Sequence, residues 1–183
     1  PKRLHSNSQF ITRTLTVTAS PEEATGGSFS VAWTEHGIQR EGTFVTPKII
    51  TCDQYTTAAV SYPQSPINSG SVRYVFSNYS PSATVTMDSD KAVAINYLTE
   101  YALTFEQIGS DEPVYITVNS AQLPDALPQS LWAGKGSTVV VSYPSIVVDS
   151  AGTTRYVLTG VSGNTTDTSI TVNAPTSVIG SYK

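Results

Sequence analysis

The chain is poor in the residues from which most catalytic sites are built. It has one cysteine, Cys52, and two histidines, His5 and His36. A single cysteine excludes an intramolecular disulfide, and Cys52 reads as a small apolar residue on a strand. A Ser-His-Asp device would have to stand on a polar N-terminal segment or in a charged loop, where neither histidine is held in place. Charged residues are only 13% of the chain and the net charge is −4, so the basic footprint of a nucleic-acid partner is missing. No apolar run reaches the roughly 18 residues of a membrane-spanning helix. The chain starts at Pro1 and not at Met, which reads as an N-terminus trimmed by processing such as signal-peptide removal.

The acidic clusters are equally unhelpful to a metal or to acid–base chemistry. Glu35, His36 and Glu41 lie in one charged stretch, but neighbouring strand residues point to opposite faces and no further histidine or cysteine supports them. Asp88-Ser89-Asp90 lacks the loop length and glycine of a calcium loop and reads as a turn between strands. Asp149-Ser150-Ala151-Gly152 interrupts an aspartic-protease signature with alanine, and the corresponding Asn68-Ser69-Gly70 offers no second carboxylate. We therefore expect no enzyme activity, no metal and no cofactor.

What the chain does contain is a duplication. Val60-Ser61-Tyr62-Pro63 returns as Val141-Ser142-Tyr143-Pro144, 81 residues later. Arg73-Tyr74-Val75 returns as Arg155-Tyr156-Val157 at an offset of 82, and Val93 to Tyr97 matches Val178 to Tyr182 at 85. Three small insertions explain the drift. Apolar and polar residues alternate in short runs bounded by Gly, Pro, Asn and Ser, and no segment keeps a helical period. The fold expected is all-β: two tandem immunoglobulin-like β-sandwich repeats of seven short strands each, preceded by an N-terminal donor-strand tail. The expected boundaries are 1–18 for the tail, 19–97 for the first repeat and 98–183 for the second. Pro47 and Pro128 correspond, each at a strand start, and between Phe29 and Pro47 the first copy carries four extra residues, read as a longer charged hairpin. Tyrosines at equivalent places, Tyr62 with Tyr143 and Tyr97 with Tyr182, are expected to pack inside the sandwiches. Sugar-binding aromatics should instead lie exposed on one copy only. Trp33 and Trp132 do not align with one another; each reads as a core residue or a sugar platform.

After Tyr97 the first copy runs straight into Leu98 to Phe105, another strand-like run without Gly or Pro, whereas after Tyr182 only Lys183 remains. The N-terminal stretch Phe10 to Thr18 resembles that run when shifted by 86, setting Ile11, Leu15 and Val17 against Tyr97, Tyr101 and Leu103. The C-terminal sandwich is therefore expected to lack a strand that a neighbour's N-terminus supplies, with Phe10, Ile11, Leu15 and Val17 as donor residues. Because donor and acceptor surfaces differ, repetition gives a linear or helical homopolymer. Two sequons, Asn78-Tyr79-Ser80 and Asn164-Thr165-Thr166, mark Asn78 and Asn164 as glycosylation sites.

Ser137 to Pro144, Arg155 to Gly163 and Tyr97 to Thr104 resemble β-rich repeats of crenarchaeal secreted proteins, and the whole chain is similar to thread-type pilus subunits of thermoacidophilic archaea. That resemblance implies an extracellular, glycosylated cell-surface filament whose subunits are joined by N-terminal donor strands, here about Phe10 to Val17, with other cells or surfaces as further partners. The competing expectation is a monomeric secreted module that binds glycans or serves as an accessory to a surface protein.

Overall fold

The computed structural model describes residues 10–163 and 168–183. Among the described residues, short alternating runs become seventeen strands: β1 (Thr12–Ser20), β2 (Ser28–Glu35), β3 (Ile38–Val45), β4 (Lys48–Asp53), β5 (Thr57–Ser61), β6 (Ile67–Ser69), β7 (Val72–Ser80), β8 (Thr84–Thr86), β9 (Lys91–Ile108), β10 (Thr117–Val118), β11 (Ala121–Gln122), β12 (Gln129–Gly134), β13 (Thr138–Ser142), β14 (Ile146–Val148), β15 (Arg155–Gly163), β16 (Ser169–Thr171) and β17 (Thr176–Tyr182). The one helical element among the described residues is a single 3₁₀ turn, Glu22–Ala24. The fold is all-β, and the chain divides into two compact units whose main boundary falls between Leu98 and Thr99.

In the first unit one sheet runs β6-β7-β9-β1-β4, using the opening part of β9, and the other runs β3-β2-β5-β8. Every second residue turns inward, as a pleated strand requires. Leu15, Val17, Ile50, Val93 and Ile95 from one sheet, and Phe29, Val31, Ala58 and Val60 from the other, are buried together in its core. In the second unit one sheet runs β14-β15-β17-β9-β12, using the later part of β9, and the other runs β11-β10-β13-β16. Its core is Leu103, Phe105, Val139, Val141, Ile170, Val172, Val178 and their neighbours.

The duplication is visible strand by strand. Pro47 and Pro128 follow cis peptide bonds and precede the equivalent strands β4 and β12. The β2–β3 and β10–β11 hairpins both turn on two residues with positive φ, His36-Gly37 at 51° and 74° and Asn119-Ser120 at 50° and 68°, the backbone a two-residue hairpin demands. The four extra residues of the first copy lengthen this hairpin: β3 has eight residues and β11 two. Both oxygens of the buried Asp53 brace the longer turn, accepting from the His36 N–H at 2.9 Å and the Gly37 N–H at 2.6 Å. β3 and β4 are separate strands, because Pro47, between them, has no N–H to continue the ladder.

β9 carries 18 residues without interruption. It is the last strand of the first unit and the first strand of the second.

Candidate functional site: the N-terminal strand

β1 lies between two neighbours. It pairs antiparallel with β4, Leu15 opposite Ile50 and Arg13 opposite Cys52. On its other side it pairs parallel with β9, Leu15 opposite Lys91 and Val17 opposite Val93. Leu15 and Val17 are fully buried, whereas Phe10 and Ile11, ahead of the strand, are 48% and 61% exposed. The Phe10 ring lies 6.0 Å from that of His36, and the Ile11 carbonyl accepts from the Gln54 N–H at 2.8 Å. The four residues expected to act together as donors therefore divide into an inserted pair and an exposed pair.

The later part of β9 occupies the same position in the second unit. It pairs antiparallel with β12, Leu103 opposite Leu131, and parallel with β17, Phe105 opposite Val178. Val93 and Val178 are equivalent, as are Ile50 and Leu131, so Leu15 corresponds to Leu103 and Val17 to Phe105. The true shift is 88, not 86. A slip of two residues leaves every side chain on its face, so the alternation of apolar residues could not distinguish the two registers.

This register also corrects the expected acceptor. The C-terminal unit receives its first strand from β9 of the same chain, between β12 and β17, and no slot for that strand is open there. The first unit is complete in the same way, with β1 in the corresponding position. The segment expected as a separate tail, 1–18, thus contributes a central strand to the first unit from Thr12 onward.

The start of β1 is also held by a side chain. Parallel pairing with β9 begins at Leu15, and one step earlier the Thr14 N–H donates to the Asp90 carboxylate at 2.9 Å. This bond, helped by the charge of Arg13, holds the Asp90 carboxyl below its ordinary range. Asp88 is likewise lowered, by the Lys91 ammonium 2.6 Å away and the Ser89 hydroxyl. The Asp88–Asp90 stretch is the connection between β8 and β9, engaged in local bonds. No group of three metal-ligating side chains is found among the described residues.

Asn78 is exposed on β7, its carbonyl oxygen accepting from the Asn96 amide at 2.7 Å and its own amide donating to the Ser77 hydroxyl at 3.2 Å. Asn164 lies outside the described residues. Cys52 is fully buried on β4, where desolvation first, and then the charges of Glu35 and Asp53, push its thiol up to about 11. A thiol so raised is a poor nucleophile. Trp33 is a core residue packed on Phe44 at 5.8 Å, and the ring of Trp132 carries the Arg73 guanidinium at 4.7 Å.

The equivalent tyrosines do not behave alike, which sequence reasoning missed. Tyr143 is buried, its hydroxyl donating to the carbonyls of Val178 at 2.9 Å and Glu106 at 3.1 Å. Tyr62 is 81% exposed, with φ at +48°. Tyr182 donates to the Pro144 carbonyl at 2.9 Å, while the buried hydroxyl of its counterpart Tyr97 has no partner.

No family model and no curated protein matches the chain. Similar solved structures include domains 3–4 of the Streptococcal High Identity Repeats in Tandem (SHIRT) from a cell surface protein, at 14% identity over 93% of this chain and 96% of that one, with a TM-score of 0.27. A streptococcal ancillary pilin is 10% identical over 93% of this chain and 69% of its own, with a TM-score of 0.29. The major pilin from Streptococcus pyogenes is 12% identical over 94% and 96%, with a TM-score of 0.24. At these values none of them assigns the chain a family.

Proposed function

We propose that the protein is a structural subunit of an extracellular surface filament that polymerises by exchanging its N-terminal strand between copies. The observation that carries this reading is the position of β1. It is the first of the described strands, yet it fills a central slot between β4 and β9, and residues 21–27 connect it to β2. The same slot in the second unit is filled by the later part of β9, which follows the first unit's last strand without a break, so a slot of this kind occurs in both units. A neighbour's β1 in the first unit's slot would recreate every bond that the chain's own β1 makes, with no new surface needed. Burying Leu15 and Val17 contributes about 1.5 to 3 kcal/mol each, and the ladder bonds on both sides about 1 kcal/mol apiece. This is enough to hold a joint once formed. In this reading Leu15 and Val17 are the donor residues proper, and Phe10 and Ile11 are anchors outside the slot. Asn78, exposed on a strand face, carries a glycan, as does Asn164, and the filament stands on the cell surface.

Arg13 lies directly across the β1–β4 ladder from Cys52, which provides the test. Oxidised Arg13→Cys protein forms a disulfide within one chain if β1 stays at home and between chains if it is exchanged. A ladder of covalent multimers on a non-reducing denaturing gel, together with filaments in electron micrographs of the wild-type chain, is the expected result. A single oxidised monomer band, with particles of 19.5 kDa only, refutes the reading.

A further inference from the structure

The turns that follow β4 and β12 are closed by the same hydrogen bonds. The Gln54 N–H donates to the Ile11 carbonyl as the Lys135 N–H does to that of Thr99, and the Tyr55 N–H donates to Met87 as the Gly136 N–H does to Val172. The Thr56 N–H closes back on the Asp53 carbonyl as the Ser137 N–H does on that of Gly134. Tyr55 therefore holds the place of Gly136, and both have positive φ, 64° and 81°. The second unit uses the residue that this backbone favours. The first sets there a large side chain that stays 75% exposed. Backbone strain carried at a side chain left in solvent is the mark of a functional position.

Three more large apolar residues stand at this end of the first unit. Ile11, bonded to Gln54 through its carbonyl, is 61% exposed. Phe10 lies on the β2–β3 turn, its ring 6.0 Å from that of His36 and 3.3 Å from where a Cβ on Gly37 would stand. Ile38, which follows that turn, is 57% exposed. The corresponding places in the second unit hold Leu98, Thr99, Ala121 and Gly136, of which Leu98 alone is large. The polar groups around the four are bonded to one another. The Asp53 carboxylate takes the N–H groups of His36 and Gly37, and the N–H groups of Gln54, Tyr55 and Thr56 are engaged as above. Glu35 holds Arg40 at 2.9 Å, Asp88 holds Lys91 at 2.6 Å, and the Gln54 amide donates to the Asp88 carbonyl at 3.4 Å. Turns whose N–H groups are already satisfied can leave water without stranding a donor, which is the condition for entering a lipid interface. A saccharide would call for free donors and acceptors converging on one place, and an anionic headgroup for an unpaired cation. A protein partner would need more surface: the four side chains offer roughly 500 Å², short of the roughly 800 Å² that each partner buries in a stable complex.

We infer that this end of the first unit, presenting Phe10, Ile11, Ile38 and Tyr55, docks on an electrically neutral lipid surface, with the four side chains entering the interfacial layer. The contact does not require a filament. Whichever copy supplies β1, the same residues meet there.

The test is co-flotation of the full chain with vesicles of phosphatidylcholine, and with vesicles of phosphatidylcholine mixed with anionic phosphatidylglycerol, at the same millimolar lipid. The wild-type chain should float with the neutral vesicles, and no more strongly with the anionic ones. Tyr55→Gly installs the second unit's residue and should leave the unfolding midpoint unchanged or raised, yet lower the partition by about fivefold or more, as should Ile38→Ser. Leu98→Ser, which removes a side chain 62% exposed in the other unit, should leave the partition unchanged. A wild-type chain that does not float overturns the inference, and so does a partition that Tyr55→Gly and Ile38→Ser retain or that Leu98→Ser lowers equally. Flotation with anionic vesicles alone would assign the contact to charge, and dimers lost in Tyr55→Gly without any lipid partition would assign this end to a second copy; either result overturns it.

Discussion

The first and second units are two solutions to one packing problem, and they differ in which strand supplies the bulk. In the second, Gly180 leaves room and Tyr143 swings in to tie β9 and β17 together through its hydroxyl. In the first, Ile95 supplies the bulk itself and Tyr62 is released to the surface. Each arrangement closes its core, but only the first leaves an aromatic ring free. Duplication has left one tyrosine inward in one copy and outward in the other, and the difference can be attacked from both sides.

The strongest disruption should come from imposing the first unit's residue on the second. Gly180→Ile drives a side chain into the Tyr143 ring. Overpacking at about 1 to 3 kcal/mol and two lost hydrogen bonds at about 1 kcal/mol each make a loss of about 4 kcal/mol the expected outcome of chemical denaturation. Tyr143 should then become open to nitration, as the exposed Tyr62 should be in the wild-type chain. Unchanged protection of Tyr143 would break the comparison.

Next in size is the pair Leu15→Ala and Leu103→Ala. Both leucines are fully buried at the equivalent place in their sheets, so each should cost about 3 kcal/mol. A clearly smaller cost at Leu15, seen as separate melting of the two units, would show β1 held less firmly than its covalently continuous counterpart, which sharpens the exchange reading.

The alkaline limb should draw on both units, the Cys52 thiol of the first, raised to about 11, acting beside the buried phenols of the second. Burial pushes Tyr143 and Tyr182 up to about 12. The folded state thus favours the protonated phenols, and their contribution is intact below the ordinary tyrosine value near 10 and lost as pH rises from there through about 12. Denaturant midpoints measured across that interval should fall, and should fall less in Tyr143→Phe.

The smallest effect is in acid. The Thr154 N–H and the Thr153 hydroxyl hold Asp149 down to about 2, so its contribution is present above about 4 and lost as pH falls through about 2. Asp149→Asn should flatten the stability profile in that window alone, with the change confined to the β14–β15 turn.

Much of this was written plainly in the chain. Val93, Ile95 and Tyr97, then Leu103 and Phe105, keep one parity across a stretch with no Gly or Pro, and β9 is indeed unbroken there. The all-β fold and the matching of Pro47 with Pro128 were equally open to inspection. The rest depended on contacts that one strand's pattern does not encode. A two-residue slip between β1 and β9 preserves facing, and only the partners Ile50, Leu131, Val93 and Val178 resolve it. The fate of Tyr62 depends on residue 95, far away in sequence. The signal was present even so: Ile95 stands against Gly180 in the same alignment that pairs Tyr62 with Tyr143, a gain of volume on one strand where an inward tyrosine leaves none to spare.

One arrangement noted above bears on what such a molecule can withstand. In each unit the first and last strands lie side by side and run the same way, with six residue pairs in register between β1 and β9 and six between β9 and β17. Tension applied at the two ends of a unit therefore slides one strand along the other and strains all the rungs between them together, instead of peeling them one at a time. Parting then requires several bonds to fail in concert, which raises the force needed and lengthens the lifetime under load. Any unit pulled from its two ends is built to last by that alignment.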